Sequence, residues 1–507
     1  MNHMITLPVL LPLFTGIVLL LLTGSSLRIR RSISLISIIA QTLVAAYLVN
    51  SAASGNITVY ALGNWIPPFG IVLVLDHLSA LMLGVTSVLA LFSIAYAVRG
   101  NDQPGDSVHS LIHFLLLGIN GAFLTGDLFN LFVFFEVLLI ASYALLLHGG
   151  GAARIKSGLH YVVLNLIGSS LFLIAAALLY SQTGTLNMAD MAVKVAAAEP
   201  HQLPLIKAAA GLLLVVFGLK AAMVPLYLWL PRAYASAAAP IAALFAIMTK
   251  IGIYAIIRLF YLVFGEGAGE LANFAEPWLW PLSLITLALG AIGALAAPEL
   301  RLQVAYLVIV SVGTLLAGVA LHNEAALSAT TYYLIHSTWV AGALFLLADI
   351  IMRQRGNAGD RIISGPRVAQ PVLLGLLFFI GAASVAGMPP LSGFVGKIML
   401  LQAPETNPHT FWLWTVLLLA SFVVITAMSR SGSTLFWRTK KGSAKTKTAD
   451  TGAVIAAALL LGLSLVLSVA GEAVIQYTHN LAAQIMDANQ YIDAVLSHQA
   501  IGGDSHD

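Results

Sequence analysis

The stretch on which the fold of this chain depends runs from Gly218 to Lys250 and reads GLKAAMVPLYLWLPRAYASAAAPIAALFAIMTK. It places Lys220 and Lys250 within apolar sequence, on either side of a segment that contains Pro225 and Pro231. Ionisable side chains within a membrane are costly, and such residues are expected to serve a function. The stretch therefore predicts a membrane helix broken by proline, with two buried lysines beside the break.

The composition excludes an ordinary soluble protein. Of 507 residues, 59% are hydrophobic and only 9% are charged, which is too little charge to cover a soluble particle of this size. The formal net charge of +3 is small and does not indicate nucleic acid as a partner. The absence of cysteine excludes disulfides, cysteine-held iron–sulfur clusters and thiol catalysis within this chain. These values predict an all-α polytopic membrane protein.

About 20 consecutive apolar residues are needed to cross a hydrocarbon core of about 30 Å. Fourteen runs meet this criterion, and their approximate bounds are 4–23, 33–50, 73–98, 109–126, 127–147, 158–180, 206–230, 237–262, 278–297, 302–320, 327–350, 371–401, 409–428 and 451–470. The sequence therefore predicts about 14 transmembrane helices.

The distribution of basic residues predicts the orientation of these helices. Of the 24 Lys and Arg residues, eighteen fall in alternate loops on one side, and Lys194, Lys207 and Arg258 fall on the other. Lys and Arg favour cytoplasmic loops. We therefore expect both termini to be extracytoplasmic.

Two of the predicted helices are interrupted. Span seven contains Pro225 and ends at Pro231, and span twelve contains the run GMPPLSG from Gly387 to Gly393. Paired interruptions in two halves of a chain are typical of transport sites in inverted-repeat carriers. The predicted organisation is N-terminal helices 1–3 in residues 1–108, a first repeat of helices 4–8 in 109–262, a second repeat of helices 9–13 in 278–428, and a basic cytoplasmic segment, helix 14 and tail in 429–507.

Five ionisable residues fall within or beside these spans: Glu136, Lys220, Lys250, His336 and Lys397. Lys250 lies about 15 Å from either membrane surface, which is too deep for a lysine side chain to reach water. A static ion pair between Glu136 and Lys220, or a helix-end contact by Lys397, would explain these residues without transport. His336 is equally consistent with a proton relay and with a hydrogen-bonded histidine of the bundle.

Other polar residues carry less information. Asp76 and Asp127 lie near span ends, where solvated caps are the expected role, although Asp127 opens the helix that carries Glu136. His109 and His113 have the i,i+4 spacing of metal ligands, but no third ligand follows, so interfacial solvation is expected and no metal site is predicted.

Three segments together resemble the antiporter-like subunits of proton-translocating complexes, and most nearly the D subunit of the Mrp (Mnh, Pha) multisubunit cation/proton antiporters. They are TGDLFNLFVFFEVLLIASY from Thr125 to Tyr143, the run from Lys220 through PLYLWLP at 225–231, and TKIGIY at 249–254. The same superfamily includes membrane-arm subunits of respiratory NADH:quinone oxidoreductase. Those relatives often have His where this chain has Tyr227, and the M-type subunit has Glu where this chain has Lys397, so both positions favour the antiporter.

The resemblance implies a fourteen-helix fold with two inverted five-helix repeats and discontinuous helices 7 and 12. It implies that Glu136 is the essential glutamate, Lys220 its paired lysine, Lys250 and His336 a central hydrophilic axis, and Lys397 the distal lysine. Tyr227 would remove one titratable relay group. The implied role is that of a secondary ion transporter subunit without a cofactor, in a bacterial cell membrane.

The implied partners are the other Mrp antiporter chains, namely the A, B, C, E, F and G subunits, the transported H⁺ and Na⁺ with K⁺ or Li⁺ as other cations, and membrane lipid. One alternative is a proton-pumping membrane subunit of a respiratory NADH:quinone oxidoreductase or a membrane hydrogenase. Another is a scaffold subunit without ion flux of its own.

Overall fold

The computed structural model describes residues 3–103, 105–439 and 448–498. The α-helices of the first half are α1 Leu7–Leu21, α2 Leu27–Ala52, α3 His77–Ala97, α4 Val108–Leu124, α5 Leu128–Leu147, α6 Ala152–Thr183, α7 Met188–Ala196, α8 Leu203–Ala221, α9 Trp229–Ser236 and α10 Ala239–Leu262. Those that follow are α11 Glu276–Ala296, α12 Leu300–Ala320, α13 Glu324–Gln354, α14 Pro371–Ala386, α15 Ser392–Gln402, α16 Asn407–Gly432, α17 Thr451–Val469, α18 Gly471–Met486 and α19 Ala488–Leu496.

Within the described residues, 12 helical segments are long and apolar enough to cross a membrane. Two shorter apolar helices, α4 and α14, accompany them. Each of the fourteen predicted runs falls on a helix of this set, and the predicted all-α membrane architecture is confirmed. The twelfth run consists of two short pieces, α14 and α15, so the exact number of membrane crossings stays a prediction.

The core of the bundle is formed by α10, α12 and α13. Every residue of α10 is buried, and α12 and α13 are buried over nearly all of their length. A helix that is apolar on all sides is expected in the centre of a bundle, whereas only about a third of the residues in the apolar stretches of α1, α2 and α16 are buried. This arrangement carries Lys250 and His336, on α10 and α13, into the centre of the molecule.

Both predicted interruptions are present and share one backbone geometry. Helix α8 ends before Ala222, whose φ of 61° is left-handed, and α14 ends before Gly387, whose φ is 82°. In each break the next amide reaches back five residues, at 2.8 Å for Met223 and 2.9 Å for Met388. This is the Schellman termination of a helix, which satisfies carbonyls that the break would otherwise leave unpaired.

The two halves share a second feature that the sequence does not reveal. Asp127, which precedes α5, forms an antiparallel bridge with Asn187, and Glu299, which precedes α12, forms the same kind of bridge with Arg361. Equivalent hydrogen bonds at equivalent points support the proposed internal repeat. The division at 109–262 and 278–428 stays a prediction.

The remaining segments lie at the ends of the bundle. Strands β1 Thr58–Ala61 and β2 Val72–Leu75 form an antiparallel hairpin. In the predicted basic segment, α16 continues to Gly432 and a π-helix follows over Ser433–Trp437, while residues 440–447 lie outside the described part. Helices α18 and α19 pack back onto the bundle, where Gln484 Oε1 accepts a hydrogen bond from His77 N at 2.9 Å.

Candidate functional site

Glu136, on α5, and Lys220, on α8, each bind a polar side chain of α6 and do not contact each other directly. Ser169 Oγ donates to the Glu136 carboxylate, and Lys220 Nζ donates to Asn165 Oδ1 at 3.2 Å. Asn165 and Ser169 are one helical turn apart and therefore share a face of α6. No ion pair within 4.0 Å joins Glu136 to Lys220 in the described structure. The arrangement differs from the static ion pair considered from the sequence.

Lys250 lies at the middle of α10 and is fully buried, with 0% of its surface exposed. Its Nζ donates to Ser311 Oγ on α12 at 3.0 Å. The described residues place no carboxylate within ion-pair distance of it. The ammonium group therefore has one neutral acceptor, which is weak compensation for removing a charge from water.

His336, on α13, lies at the end of a chain of hydrogen-bonded serine hydroxyl groups. Its Nδ1 lies 2.7 Å from Ser392 Oγ, which in turn lies 2.8 Å from Ser464 Oγ. A cavity of about 20 Å³ borders His336, Tyr333 and Ser311. Most of its lining is apolar, but these three side chains also face it, and its volume is enough for one water molecule. The cavity therefore joins the hydrogen-bond partner of Lys250 to the imidazole of His336.

Lys397 lies on α15, and its ammonium group binds the C-terminal end of α14. Its Nζ donates to Val385 O at 3.1 Å, to Ala386 O at 3.0 Å and to Ser421 Oγ at 2.9 Å. These acceptors match the three donors of an ammonium group, and the first two lie at the partially negative C-terminal end of the helix. This is the helix-end contact that the sequence left open.

The three secondary residues have different environments. Asp127 is the N-cap of α5, accepting a hydrogen bond from Asn130 N at 2.7 Å. Tyr227 lies within the break between α8 and α9, partly buried against the core. Asp76 caps α3 and also pairs with Arg258 at 2.6 Å, so it is a buried ion-pair partner and not a solvated cap.

The sequence pattern predicts that Arg258 lies in a loop on the extracytoplasmic side, and that prediction is wrong. It lies within α10 and is 6% exposed. Besides the pair with Asp76, its guanidinium lies 5.4 Å from the ring centre of Tyr254 and 4.9 Å from that of Tyr491. Tertiary pairing lets the charge stay buried. An arginine within an apolar run is a sequence signal of a buried ion pair. The sequence does not reveal its partner, because Asp76 is distant along the chain.

The solvated role predicted for His109 and His113 is also wrong, because both are buried. His109 Nε2 lies 3.0 Å from Asp102, which Arg31 also binds through two hydrogen bonds of 2.6 and 2.7 Å. Burial opposes ionisation of Asp102, but the hydrogen bonds from Arg31 and His109 outweigh it and hold the pKa of Asp102 well below its usual value. Among the described residues no group of three potential ligands could hold a metal ion.

Interrupted helices around buried lysines define a membrane-embedded ion transporter. Residues 125–429 match the family described as NADH:quinone oxidoreductase/Mrp antiporter, transmembrane. The chain belongs to this family.

Curated relatives match over the full length. A protein of Rhizobium meliloti (strain 1021), named as the D subunit of a probable K(+)/H(+) antiporter, is 40% identical over 99% of both chains. A protein of Bacillus subtilis (strain 168), named as the D subunit of a Na(+)/H(+) antiporter, is 39% identical over 98% of this chain and 100% of its own. A chain in the structure of the Mrp complex from Dietzia sp. DQ12-45-1b superimposes with a TM-score of 0.87 at 29% identity, covering 98% of this chain and 100% of that one.

Proposed function

We propose that this chain is the proton-carrying D subunit of a multisubunit monovalent cation/proton antiporter. The observation that carries the proposal is a row of buried ionisable groups, Lys220, Lys250, His336 and Lys397, with Glu136 at one end. In the described structure each of the three lysines has neutral hydrogen-bond acceptors in place of a contacting carboxylate. Buried basic groups held in this way can gain and lose protons without breaking an ion pair.

The arrangement suggests how charge moves along the row. The negative charge of Glu136 stabilises a proton on Lys220. The charged Lys220 in turn makes protonation of Lys250 less favourable, because two positive charges repel strongly in a medium of low dielectric constant. A proton leaving Lys250 has the Ser311 hydroxyl and the adjoining cavity as its route to His336. A protonated His336 repels the charge on Lys397, the last residue of the row, and so favours release of a proton from it.

Tyr227 lies in the break that follows Lys220, where other family members often have a histidine. In this chain a tyrosine hydroxyl or a water must serve if protons pass that point. We assign Asp127 to the entrance of the helix that carries Glu136, and Asp76 to the outer end of α10.

The relatives guide the choice of cation and partners. We propose Na⁺ as the principal exchanged cation, with K⁺ and Li⁺ as further candidates, because the two relatives are named for Na(+) and K(+). The companion chains would be the A, B, C, E, F and G subunits. The location would be a bacterial cell membrane, with both termini extracytoplasmic.

The second candidate is a proton-pumping membrane subunit of a respiratory complex, since the family description includes both kinds of protein. Identities of 40% and 39% over whole antiporter chains favour the antiporter. A secondary transporter subunit requires no catalytic chemistry of its own, and the row of buried side chains suggests none.

Lys220→Ala in the assembled complex tests the proposal. We expect it to abolish cation exchange driven by a pH gradient in everted membrane vesicles, because the first proton site is lost. Lys207→Ala is the matched control, since Lys207 lies on the same helix but is exposed. Copurification of the companion subunits shows that both variants assemble. Undiminished exchange by an assembled Lys220→Ala complex would overturn the assignment.

A further inference from the structure

A long apolar groove lies on the outer surface between α14 and α16. It has a volume of about 390 Å³. Gly375, Phe379 and Ala386 line it from α14, and Gly432 lines it from α16. The small residues leave the space that larger side chains would fill. Trp437, at the open end of the groove, is 79% exposed.

The length of the groove matches one hydrocarbon chain. The stretch from Gly375 to Ala386 rises about 17 Å at about 1.5 Å per residue, and one leaflet occupies about half of a 30 Å hydrocarbon core. The groove is therefore long enough for an acyl chain of one leaflet.

Two basic residues lie near the open end of the groove along the chain, since Arg438 directly follows Trp437 and Arg367 precedes α14 by a few residues. Arg367 and Arg438 are exposed, and Ser364 Oγ donates to Arg438 O at 2.6 Å, which ties the loop before α14 to the segment after the π-helix. Among the described residues neither arginine forms an ion pair with an acid. The sequence continues with Lys440 and Lys441. Basic clusters of this kind beside membrane helices bind anionic lipid head groups, and exposed tryptophan is typical of the same level.

We propose that this groove binds one acyl chain of an anionic phospholipid, whose head group meets Arg367 and Arg438. The groove extends to Ala386, whose carbonyl accepts a hydrogen bond from Lys397 Nζ at 3.0 Å. A bound chain would lie directly behind the helix end that holds the distal lysine. It would keep water away from that side of the contact.

The test is retention of phosphatidylglycerol by the purified whole complex, measured by native mass spectrometry against phosphatidylethanolamine. Ala382→Trp should fill the groove and abolish retention, whereas Leu376→Trp, on the exposed face of the same helix, should leave it unchanged. The double variant Arg367→Gln/Arg438→Gln should weaken retention about 30-fold, since each basic residue contributes about fivefold.

A double variant of Lys156→Gln and Arg154→Gln removes two charges from the start of α6, which is predicted to be on the same side of the membrane, and should leave retention unchanged. Equal retention of phosphatidylglycerol by the groove variants and their controls would overturn the proposal. So would equal retention of the two lipids by the wild type, because the arginines would then not recognise charge. Cross-linking of position 382 to a companion subunit would also overturn it.

Discussion

Replacing Ser311 with Ala is expected to weaken proton uptake at Lys250. The two side chains are joined by a hydrogen bond of 3.0 Å, and Ala offers no acceptor in its place. A hydrogen bond to a charged group contributes about 1.5–3 kcal/mol. Because about 1.36 kcal/mol corresponds to a tenfold change in a protonation equilibrium, the ratio of protonated to neutral Lys250 should fall about 10- to 150-fold at any given pH.

The antiporter with Ser311→Ala should then need more protons to reach the same rate. We expect the pH of half-maximal exchange to move down by about 1–2 pH units, measured in everted vesicles between roughly pH 6 and 9. Ser283→Ala is the control, because Ser283 is equally buried but its hydroxyl donates to Trp280 O within its own helix at 2.7 Å. A Ser311→Ala profile that coincides with the wild type, in a fully assembled complex, would refute the role of Lys250 as a proton carrier.

Two further variants test buried charge. Asp76→Asn should lower the thermal unfolding temperature of the complex, because Arg258 would keep a buried charge without its partner at 2.6 Å, a loss of about 3–5 kcal/mol. Asp102→Asn should remove an acid-sensitive part of the stability: the lowered pKa of Asp102 stabilises the folded chain above about pH 4, and this contribution disappears as the pH falls further. The unfolding temperatures of the wild type and Asp102→Asn should therefore differ at neutral pH and converge under acid conditions.

The controls for these variants are on the same chain. Asp190→Asn removes the partner of Lys194, which lies 2.9 Å away and whose side chain is 43% exposed. The expected loss of folding stability is under about 1 kcal/mol, because a partly exposed ion pair contributes little. An Asp76→Asn complex as stable as the Asp190→Asn complex would contradict the assigned importance of the buried pair. For Asp102, a difference in unfolding temperature that does not change with acidification would show that its ionisation does not contribute.

Much of the fold could be predicted because its signals are local. Hydropathy predicts the helices, and the prolines near 225 and 389 predict both interruptions, since proline disturbs the helix in which it lies. The same local logic identifies Lys220, Lys250, His336 and Lys397 as buried. The length of the apolar run around each residue indicates how deep that residue lies in the membrane, and this length can be read directly from the sequence.

The partners of these residues could not be predicted. Ser311 and Ser392 belong to a large class of membrane serines that mostly bond their own helix, and nothing nearby in the sequence distinguishes them. Glu136 and Lys220 bind Ser169 and Asn165 of α6 and not each other, which also depends on how three helices pack.

The sequence by itself determined that the chain crosses a membrane many times, that two helices are broken, and which charges lie deep within it. These properties follow from composition and from the chemistry of single residues. Only the tertiary structure decided that Arg258 pairs with Asp76, that Lys397 binds the end of α14, and that a small cavity joins Ser311 to His336. Those contacts join residues far apart along the chain, so packing and not local propensity selects them.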